Sequence, residues 1–212
     1  MILYGSTLSP YVRKSLAVAA EAGIEVELVQ AGMGAGPPEF REASPFGKMP
    51  GLKDGDFLVS DSSAIVAYFD ALKPEARLIP TEARARARTI WYDEFADTIL
   101  VAAAGAIFFN LVVAPRFLKQ DSNMAAVEAG KAQLPGIFDY LERSIPASGF
   151  LVEDRLTLAD LAVASPFQNL VLAGHAIDAS AYPKTAAYVA AILARPSYAP
   201  IIAQERAMFG LA

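Results

Sequence analysis

The hydrophobic pattern of this chain changes character once, close to residue 80. Before that point, short runs with strand-like alternation are mixed with runs of helical spacing, whereas after it every long apolar pattern has helical spacing. Strands are therefore expected only in the first part of the chain. The pattern predicts an α/β domain over residues 1–75 followed by an all-helical domain over residues 82–212, with the linker Lys73–Thr81, which contains two prolines, at the boundary.

The first 75 residues predict the order β-α-β followed by β-β-α. A Gly- and Pro-rich loop, Ala31–Pro38, comes after the second strand, and a short helical turn is expected near Glu39–Ala43. Asp54-Gly55 is a hairpin signal between the last two strands. The predicted elements are strands Met1–Tyr4, Glu25–Gln30, Gly51–Lys53 and Phe57–Ser60, and helices Tyr11–Ala22 and Ser62–Leu72.

The remaining chain predicts a helical bundle. Its most apolar stretch, Ile99–Ala114, is shorter than the roughly 18–20 residues that span a bilayer, and it ends at Pro115. We therefore expect a buried helix and no membrane association. The predicted helices are Glu82–Ala114, Ser122–Ser144, Leu158–Ala173, Lys184–Ala194 and Tyr198–Met208.

Composition excludes several classes of site. The chain has no cysteine and one histidine, His175, which argues against disulfides, thiol nucleophiles, a Ser-His-Asp triad and a histidine-rich metal centre. A net charge of −5 does not fit a protein that binds nucleic acid by neutralising phosphates. The first residues, MILYGSTLSP, lack the pattern of a secretory signal, so a cytoplasmic location is expected.

Ser9-Pro10 lies at the junction of the first strand and the first helix. Serine is a favoured N-cap and proline suits the first helical position, so helix capping alone explains this pair. The same position also places a hydroxyl and the positive end of a helix dipole above the turn, a setting that stabilises an anion such as a thiolate. On these residues alone both interpretations stay open.

Pro50 stands at the entry to the third strand, in the segment Ser44–Gly51. A proline fits a sheet at this point if the Met49-Pro50 bond is cis or if the strand lies at an edge, and an ordinary loop proline is the alternative. A cis bond would leave the N–H and C=O of Met49 free to pair with an extended, peptide-like ligand.

Asp61-Ser62 follows the fourth strand and opens the next helix. The Ser62 hydroxyl and the first free N–H groups of the helix can receive a carboxylate, while Asp61 can hold an ammonium group. The pair therefore suits an amino-acid headgroup, although helix capping explains the same two residues.

Taken in this order, the three segments resemble the cytosolic glutathione S-transferases, and the resemblance extends over nearly the whole chain. That family has a thioredoxin-like N-terminal domain with a cis-proline before its third strand and an acidic-Ser pair in a segment like LVSDSSAI, residues 58–65. Its helical half has a Ser/Thr-x-x-Asp capping box, matched here by Thr157–Asp160. Ser9-Pro10-Tyr11 looks most like the Ser-Pro-Phe segment of serine-type enzymes related to the tau class; omega-like members have cysteine where Ser9 stands.

This resemblance implies a glutathione S-transferase in which Ser9 is the catalytic residue. Its hydroxyl would donate to the sulfur of glutathione, the co-substrate, and stabilise the thiolate for attack on a small apolar electrophile. No metal is expected. Lys48 would lie near the glycyl carboxylate of glutathione, Met49 before Pro50 would pair with the cysteinyl unit, and Asp61 with Ser62 would hold the γ-glutamyl end.

The resemblance also implies a pocket for the electrophile and a homodimer. The pocket is expected between the two halves of the chain, against Leu8, Tyr11, Phe108 and Phe109. The dimer is expected from the apolar faces of Ser62–Leu72 and Glu82–Ala114.

Several alternatives remain open on the sequence. A tyrosine could take the role of Ser9, with Tyr4 or Tyr11 as candidates, although the strand pattern favours packing for Tyr4. Arg13 either adds positive potential near Ser9 or faces outward. Maleylacetoacetate isomerisation is a minor alternative because the Ser-rich signature of the zeta isomerases is matched poorly. The main alternative function is non-catalytic: binding of glutathione or an apolar ligand, or a regulatory role, on the same fold.

Overall fold

In the computed structural model, which describes residues 1–32 and 35–211, the first strand lies inside a four-stranded sheet of order β2-β1-β3-β4. β1 (Ile2–Gly5) is parallel to β2 (Glu27–Gln30) and antiparallel to β3 (Gly51–Asp54), and β3 is antiparallel to β4 (Phe57–Ser60). Three helices accompany the sheet: α1 (Pro10–Glu21), α2 (Pro38–Ala43) and α3 (Ser62–Leu72). This is the thioredoxin-like arrangement that was predicted.

Successive residues of β1 point to opposite faces of the sheet, and each face has its own apolar cluster. Leu3 is fully buried in the main core with Val12 of α1 and Phe69 of α3. Tyr4 instead packs with Phe40 of α2, at 6.3 Å between ring centroids. The sheet therefore separates α2 from the side of the fold on which the helical half docks.

The helical half is arranged around α7, in which every residue except Val171 is buried. This helix contacts α1 of the first half as well as α4, α5 and α8. It thus forms the main connection between the two halves of the chain. The helices are α4 (Ala83–Glu94), α5 (Val101–Phe108), α6 (Met124–Ser144), α7 (Leu158–Leu172), α8 (Pro183–Leu193) and α9 (Ala199–Met208).

α4 and α5 belong to one long helix, Ala83–Leu118, with π-helical turns at Phe95–Leu100 and Phe109–Leu118. The prediction that this helix ends before Pro115 was wrong. A π-helical turn has a different hydrogen-bond pattern, which accommodates the missing N–H of a proline.

The length argument against a membrane span was therefore also wrong, because the long helix is long and apolar enough to cross a bilayer. In the fold, however, it serves as a core helix. Its side chains Leu100 and Ile107 are fully buried in the main core, which α6 and α7 share.

The other predicted bounds differ from the structure by at most two residues at either end, and β4 and α3 match at both ends. α2 occupies the expected helical turn. The predicted loop over residues 31–38 includes Met33 and Gly34, which lie outside the described residues.

The predicted capping box at the start of α7 is present, and its acidic member does more than cap the helix. The buried Asp160 carboxylate accepts hydrogen bonds from Thr157 N and Leu151 N, both at 2.9 Å, and from Tyr188 Oη at 3.2 Å. Burial raises the pKa of Asp160 despite these donors. One carboxylate thus joins the helix start, the preceding loop and α8.

We expect Asp160→Ala to lower the free energy of unfolding by about 2–4 kcal/mol, because several buried donors lose their partner at once. Urea denaturation measures this loss. Asp121→Ala, at an exposed position, is the matched control and should unfold like the parent. A parent-like midpoint for Asp160→Ala would contradict the structural role.

Candidate active site

A cleft of about 690 Å³ opens between the two halves of the chain. It is bounded by the β1–α1 turn, the loop before β3, the start of α3 and the end of α4 with the π-helical turn that follows. Most of the residues singled out in the sequence meet here. Its lining includes Ser9, Tyr11, Ser44, Phe46, Lys48, Met49, Asp61, Ser62, Ser63, Glu94, Asp97 and Thr98.

Ser9 is the N-cap of α1, and Pro10 is the first residue of the helix. The Ser9 hydroxyl accepts a hydrogen bond from Val12 N at 3.5 Å, the upper limit for such a bond. This side chain is half-buried and lines the cleft. A cap bond of this length engages one lone pair weakly, and it leaves the O–H of Ser9 available as a donor.

The two tyrosines near Ser9 differ in their access to the cleft. Tyr4 is buried in the cluster on the α2 side of the sheet, and burial raises its pKa. Tyr11 lines the cleft, but its hydroxyl donates to the Asp97 carbonyl at 3.1 Å. Burial, followed by the charge of Asp97, raises the pKa of Tyr11 to about 12. Tyr11 therefore stays protonated at neutral pH, and its hydroxyl proton is already used in the hydrogen bond to the Asp97 carbonyl.

The segment before β3 presents backbone groups to the cleft. The Met49-Pro50 bond is cis, as predicted, and Pro50 is buried while the Lys48 side chain is exposed. Ser44 Oγ donates to the Lys48 carbonyl at 2.6 Å and holds the turn. Among the described residues, the N–H of Met49 has no hydrogen-bond partner, so it is open to a ligand that lies along this strand edge.

Asp61 and Ser62 sit at the start of α3, with Asp61 in the left-handed region at φ 82°. One oxygen of the Asp61 carboxylate caps the helix by accepting from Ser63 N at 2.9 Å and Ala64 N at 3.1 Å. Ser62 is buried, and its hydroxyl donates to Asp97 Oδ2 at 3.3 Å. Asp61 therefore caps the helix through one carboxylate oxygen, and its second carboxylate oxygen takes no part in the cap.

A cluster of charged side chains, which the sequence analysis did not predict, lies beneath this helix start. Lys14 Nζ is buried and donates to Asp93 Oδ1 at 2.6 Å and to Asp97 Oδ2 at 2.7 Å. Ser63 Oγ donates to Asp93 Oδ2 at 2.6 Å. Burial raises the pKa of Asp97, and the Lys14 ammonium opposes that rise. The available sequence signal was the spacing of two aspartates, four residues apart and therefore on one face of the predicted helix.

The structure places only one of the four residues predicted for the electrophile pocket on the cleft surface. Tyr11 lines it, whereas Leu8 and Phe108 are buried in a separate apolar cluster with Val112 and Leu172. Phe109 is 45% exposed and is not part of the lining. The sequence did not show that α7 covers Leu8, because that contact joins residues far apart in the chain.

Two family models match the chain: a glutathione S-transferase N-terminal domain over residues 3–77 and a glutathione S-transferase C-terminal domain over residues 124–191. Together they cover more than half of the 212 residues. The chain belongs to the glutathione S-transferase family. Both halves of this glutathione S-transferase, and not only its sheet, therefore carry the family pattern.

Individual relatives agree with this assignment. Glutathione S-transferase 4 of Zea mays is 30% identical over 199 residues, which are 92% of this chain and 88% of that protein. A glutathione S-transferase of Hyoscyamus muticus is 30% identical over 210 residues, 95% and 97% of the two chains. A solved maize glutathione S-transferase I in complex with an atrazine glutathione conjugate superposes with a TM-score of 0.84 at 25% identity, covering 97% of each chain. The predicted enzyme class is confirmed.

In this transferase, Lys14 should be essential for stability. Lys14→Met would leave two carboxylates, Asp93 and Asp97, in the interface between the halves without their cation. We expect the free energy of unfolding to fall by about 3–5 kcal/mol, as is typical when one partner of a buried ion pair is removed. Chemical denaturation monitored by circular dichroism measures it.

The matched control is Lys131→Met, which removes a cation from the surface pair with Glu128. Surface pairs contribute little, so this variant should unfold like the parent. Equal effects of the two substitutions would show that the Lys14 cluster is not a specific stabilising contact.

Proposed function

We propose that this glutathione S-transferase activates its co-substrate with the hydroxyl of Ser9. The observation that carries the proposal is the position of Ser9 at the N-terminus of α1, in the same cleft as Lys48, Met49 and Ser62. The thiol of glutathione, with an ordinary pKa near 8.5, is mostly protonated at neutral pH. A hydrogen bond to the charged sulfur contributes about 1.5–3 kcal/mol, which lowers the thiol pKa by about one to two units.

The charges around the cleft suit the two ends of glutathione. Lys48 is exposed on one side, where it would meet the glycyl carboxylate. Asp61 and Asp97 lie on the other side, where the γ-glutamyl ammonium would be placed, with Ser62 at the helix start for the α-carboxylate. The open N–H of Met49 would pair with the cysteinyl unit between them. This arrangement directs the sulfur toward Ser9.

The electrophile would enter beside Tyr11. The thiolate sulfur would attack the electrophilic carbon, and the new C–S bond of the conjugate would form as the bond from that carbon to the leaving group breaks, with the electron pair departing on the leaving group. We propose small apolar electrophiles as the acceptor class, because the side chains of Tyr11, Phe46 and Met49 give the lining of the cleft an apolar part. The proposal keeps residues 1–75 as the glutathione-binding domain, residues 82–212 as the helical domain, and a cytoplasmic location for detoxification.

Substitution of Ser9 separates catalysis from capping. Ser9→Ala removes both functions, whereas Ser9→Asp keeps a good N-cap but places a carboxylate beside the sulfur. We expect both variants to lose at least about tenfold in transferase rate with chlorodinitrobenzene, Asp more than Ala, because the thiol pKa of bound glutathione rises. The absorbance of the thiolate as a function of pH measures that pKa directly.

Binding of glutathione by calorimetry is the control, and it should change little in Ser9→Ala. A parent-like rate in Ser9→Ala would transfer the role to a tyrosine or a backbone donor. If the parent itself binds glutathione but turns over no electrophile from a substrate panel, the non-catalytic alternative is correct.

A homodimer is proposed from two complementary apolar features. Phe46, in the loop before β3, is 90% exposed. A separate groove of about 390 Å³ lies between the π-helical turn after α4 and α6, lined by Trp91, Phe95, Ile99 and Tyr140 among others. Trp91 Nε1 donates to Tyr140 Oη at 2.9 Å, which leaves the ring faces as an apolar surface. Phe46 of one copy would fill this groove in a second copy.

Light scattering tests the dimer. The parent should show twice the monomer mass of 22.5 kDa, and both Phe46→Ser and Ile99→Glu should shift the mass toward the monomer, because they alter the two sides of the same contact. Phe117→Ser, also at an exposed phenylalanine, is the control and should remain dimeric. A parent that is monomeric at micromolar concentration would contradict the proposal.

A further inference from the structure

The backbone on both sides of Ser9 is held by side chains of α1 and α7. The Leu8 carbonyl accepts from Asn169 Nδ2 at 2.8 Å, and the Pro10 carbonyl accepts from Ser165 Oγ at 2.8 Å. Both donors belong to α7, more than 150 positions away in the chain. The Thr7 carbonyl accepts from Arg13 Nη1, also at 2.8 Å. Three carbonyls that bracket Ser9 are therefore bound by side chains.

Asn169 and Arg13 are themselves joined. Arg13 Nη2 donates to Asn169 Oδ1 and to the Ser165 carbonyl, the latter at 2.8 Å. Asn169 thus uses its oxygen for Arg13 and its amide nitrogen for the Leu8 carbonyl, so its orientation is fixed from both ends. Its side chain is buried and is not part of the cleft lining.

Arg13 is in turn fixed by the C-terminal helix. Its Nη1 atom lies 3.1 and 3.2 Å from the two carboxylate oxygens of Glu205 in α9, and both side chains are fully buried. The sequence left two alternatives for Arg13, an outward orientation or added positive potential at Ser9. In the structure the guanidinium instead points inward and is paired. Such a group cannot move without leaving a buried charge unpaired.

We propose that Asn169 and Ser165 of α7 are positioning residues for Ser9, with Arg13 holding Asn169 and Glu205 holding Arg13. The inference rests on the proposed function, since it presumes that the Ser9 hydroxyl activates glutathione. A hydroxyl stabilises a thiolate only when its oxygen lies within hydrogen-bond distance of the sulfur and is directed at it. The turn that carries Ser9 has few residues, so the bonds to its carbonyls decide where the hydroxyl lies.

Asn169→Asp tests the bond between Asn169 and the turn, and Ser165→Ala, described below, tests the second α7 bond without adding a charge. The substitution is nearly isosteric and keeps an oxygen for Arg13, but it replaces the amide donor by an acceptor that faces the Leu8 carbonyl. We expect the thiol pKa of bound glutathione to rise by about one unit and kcat to fall by about tenfold below that pKa. The KM for glutathione should change by less than about twofold, because Lys48, Met49 and Ser62 are untouched.

Asp160→Asn is the matched control on the same helix. It removes charge from a buried site whose hydrogen bonds go to Leu151, Thr157 and Tyr188 and not to the Ser9 turn, so it should lower the melting temperature and leave the thiol pKa of bound glutathione at the parent value. This comparison distinguishes a positioning role from general stabilisation of α7.

Ser165→Ala is a milder second variant in case Asn169→Asp does not fold. It removes the bond to the Pro10 carbonyl without adding a charge, and it should raise the thiol pKa by a smaller amount in the same direction. An unchanged thiol pKa in the folded Asn169→Asp variant, or in Ser165→Ala if the former does not fold, would overturn the inference.

Ser9→Ala, measured in parallel, separates this inference from the proposed function. If Ser9→Ala raises the thiol pKa and Asn169→Asp does not, only the positioning role of Asn169 is wrong. If neither variant raises it, the serine mechanism fails and the positioning role fails with it.

Discussion

The rest of this structure depends on the buried ion pairs that two adjacent residues of α1, Arg13 and Lys14, form with the helical half. Both are buried, and both find their carboxylate partners in the helical half: Arg13 pairs with Glu205, and Lys14 with Asp93 and Asp97. A buried charge without its partner is strongly destabilising, so α1 is stable in its place only when the helical half is docked. The cleft between the halves is thereby fixed in shape.

The same contacts relate the fold to the chemistry of the site. Ser9 lies at the start of α1, one turn before Arg13, and the loop around it is bonded to α7. Asp97 accepts from Lys14 and from Ser62, so the helix start proposed to hold the γ-glutamyl end is joined to the same network. The first half supplies most of the groups proposed to hold glutathione, and the second half holds those groups in place.

Local sequence patterns predicted the helices and strands well, but they did not predict which residues would contact one another in the tertiary structure. Alternation and helical spacing located β4 and α3 at both ends because burial of one face imposes that spacing directly. The predicted end of the long helix was wrong. Proline is a local signal for a helix end, whereas the π-helical turn that accommodates Pro115 forms within a packed bundle. Leu8 and Phe108 were assigned to the cleft by type, yet their packing with Leu172 depends on how α7 crosses the first half.

By itself, the sequence determined an α/β half and a helical half, and its resemblance to the family indicated the cis Met49-Pro50 bond and most of the polar residues that meet in the cleft. These features depend on spacing and on residue types that suit particular backbone positions. Only the tertiary structure decided that Arg13 points inward, that Lys14 joins two aspartates, and that Asn169 bonds the turn beside Ser9. The physical reason is that a polar side chain has the same local pattern on a surface as in a core, and its partner is chosen by the docking of segments distant in the chain.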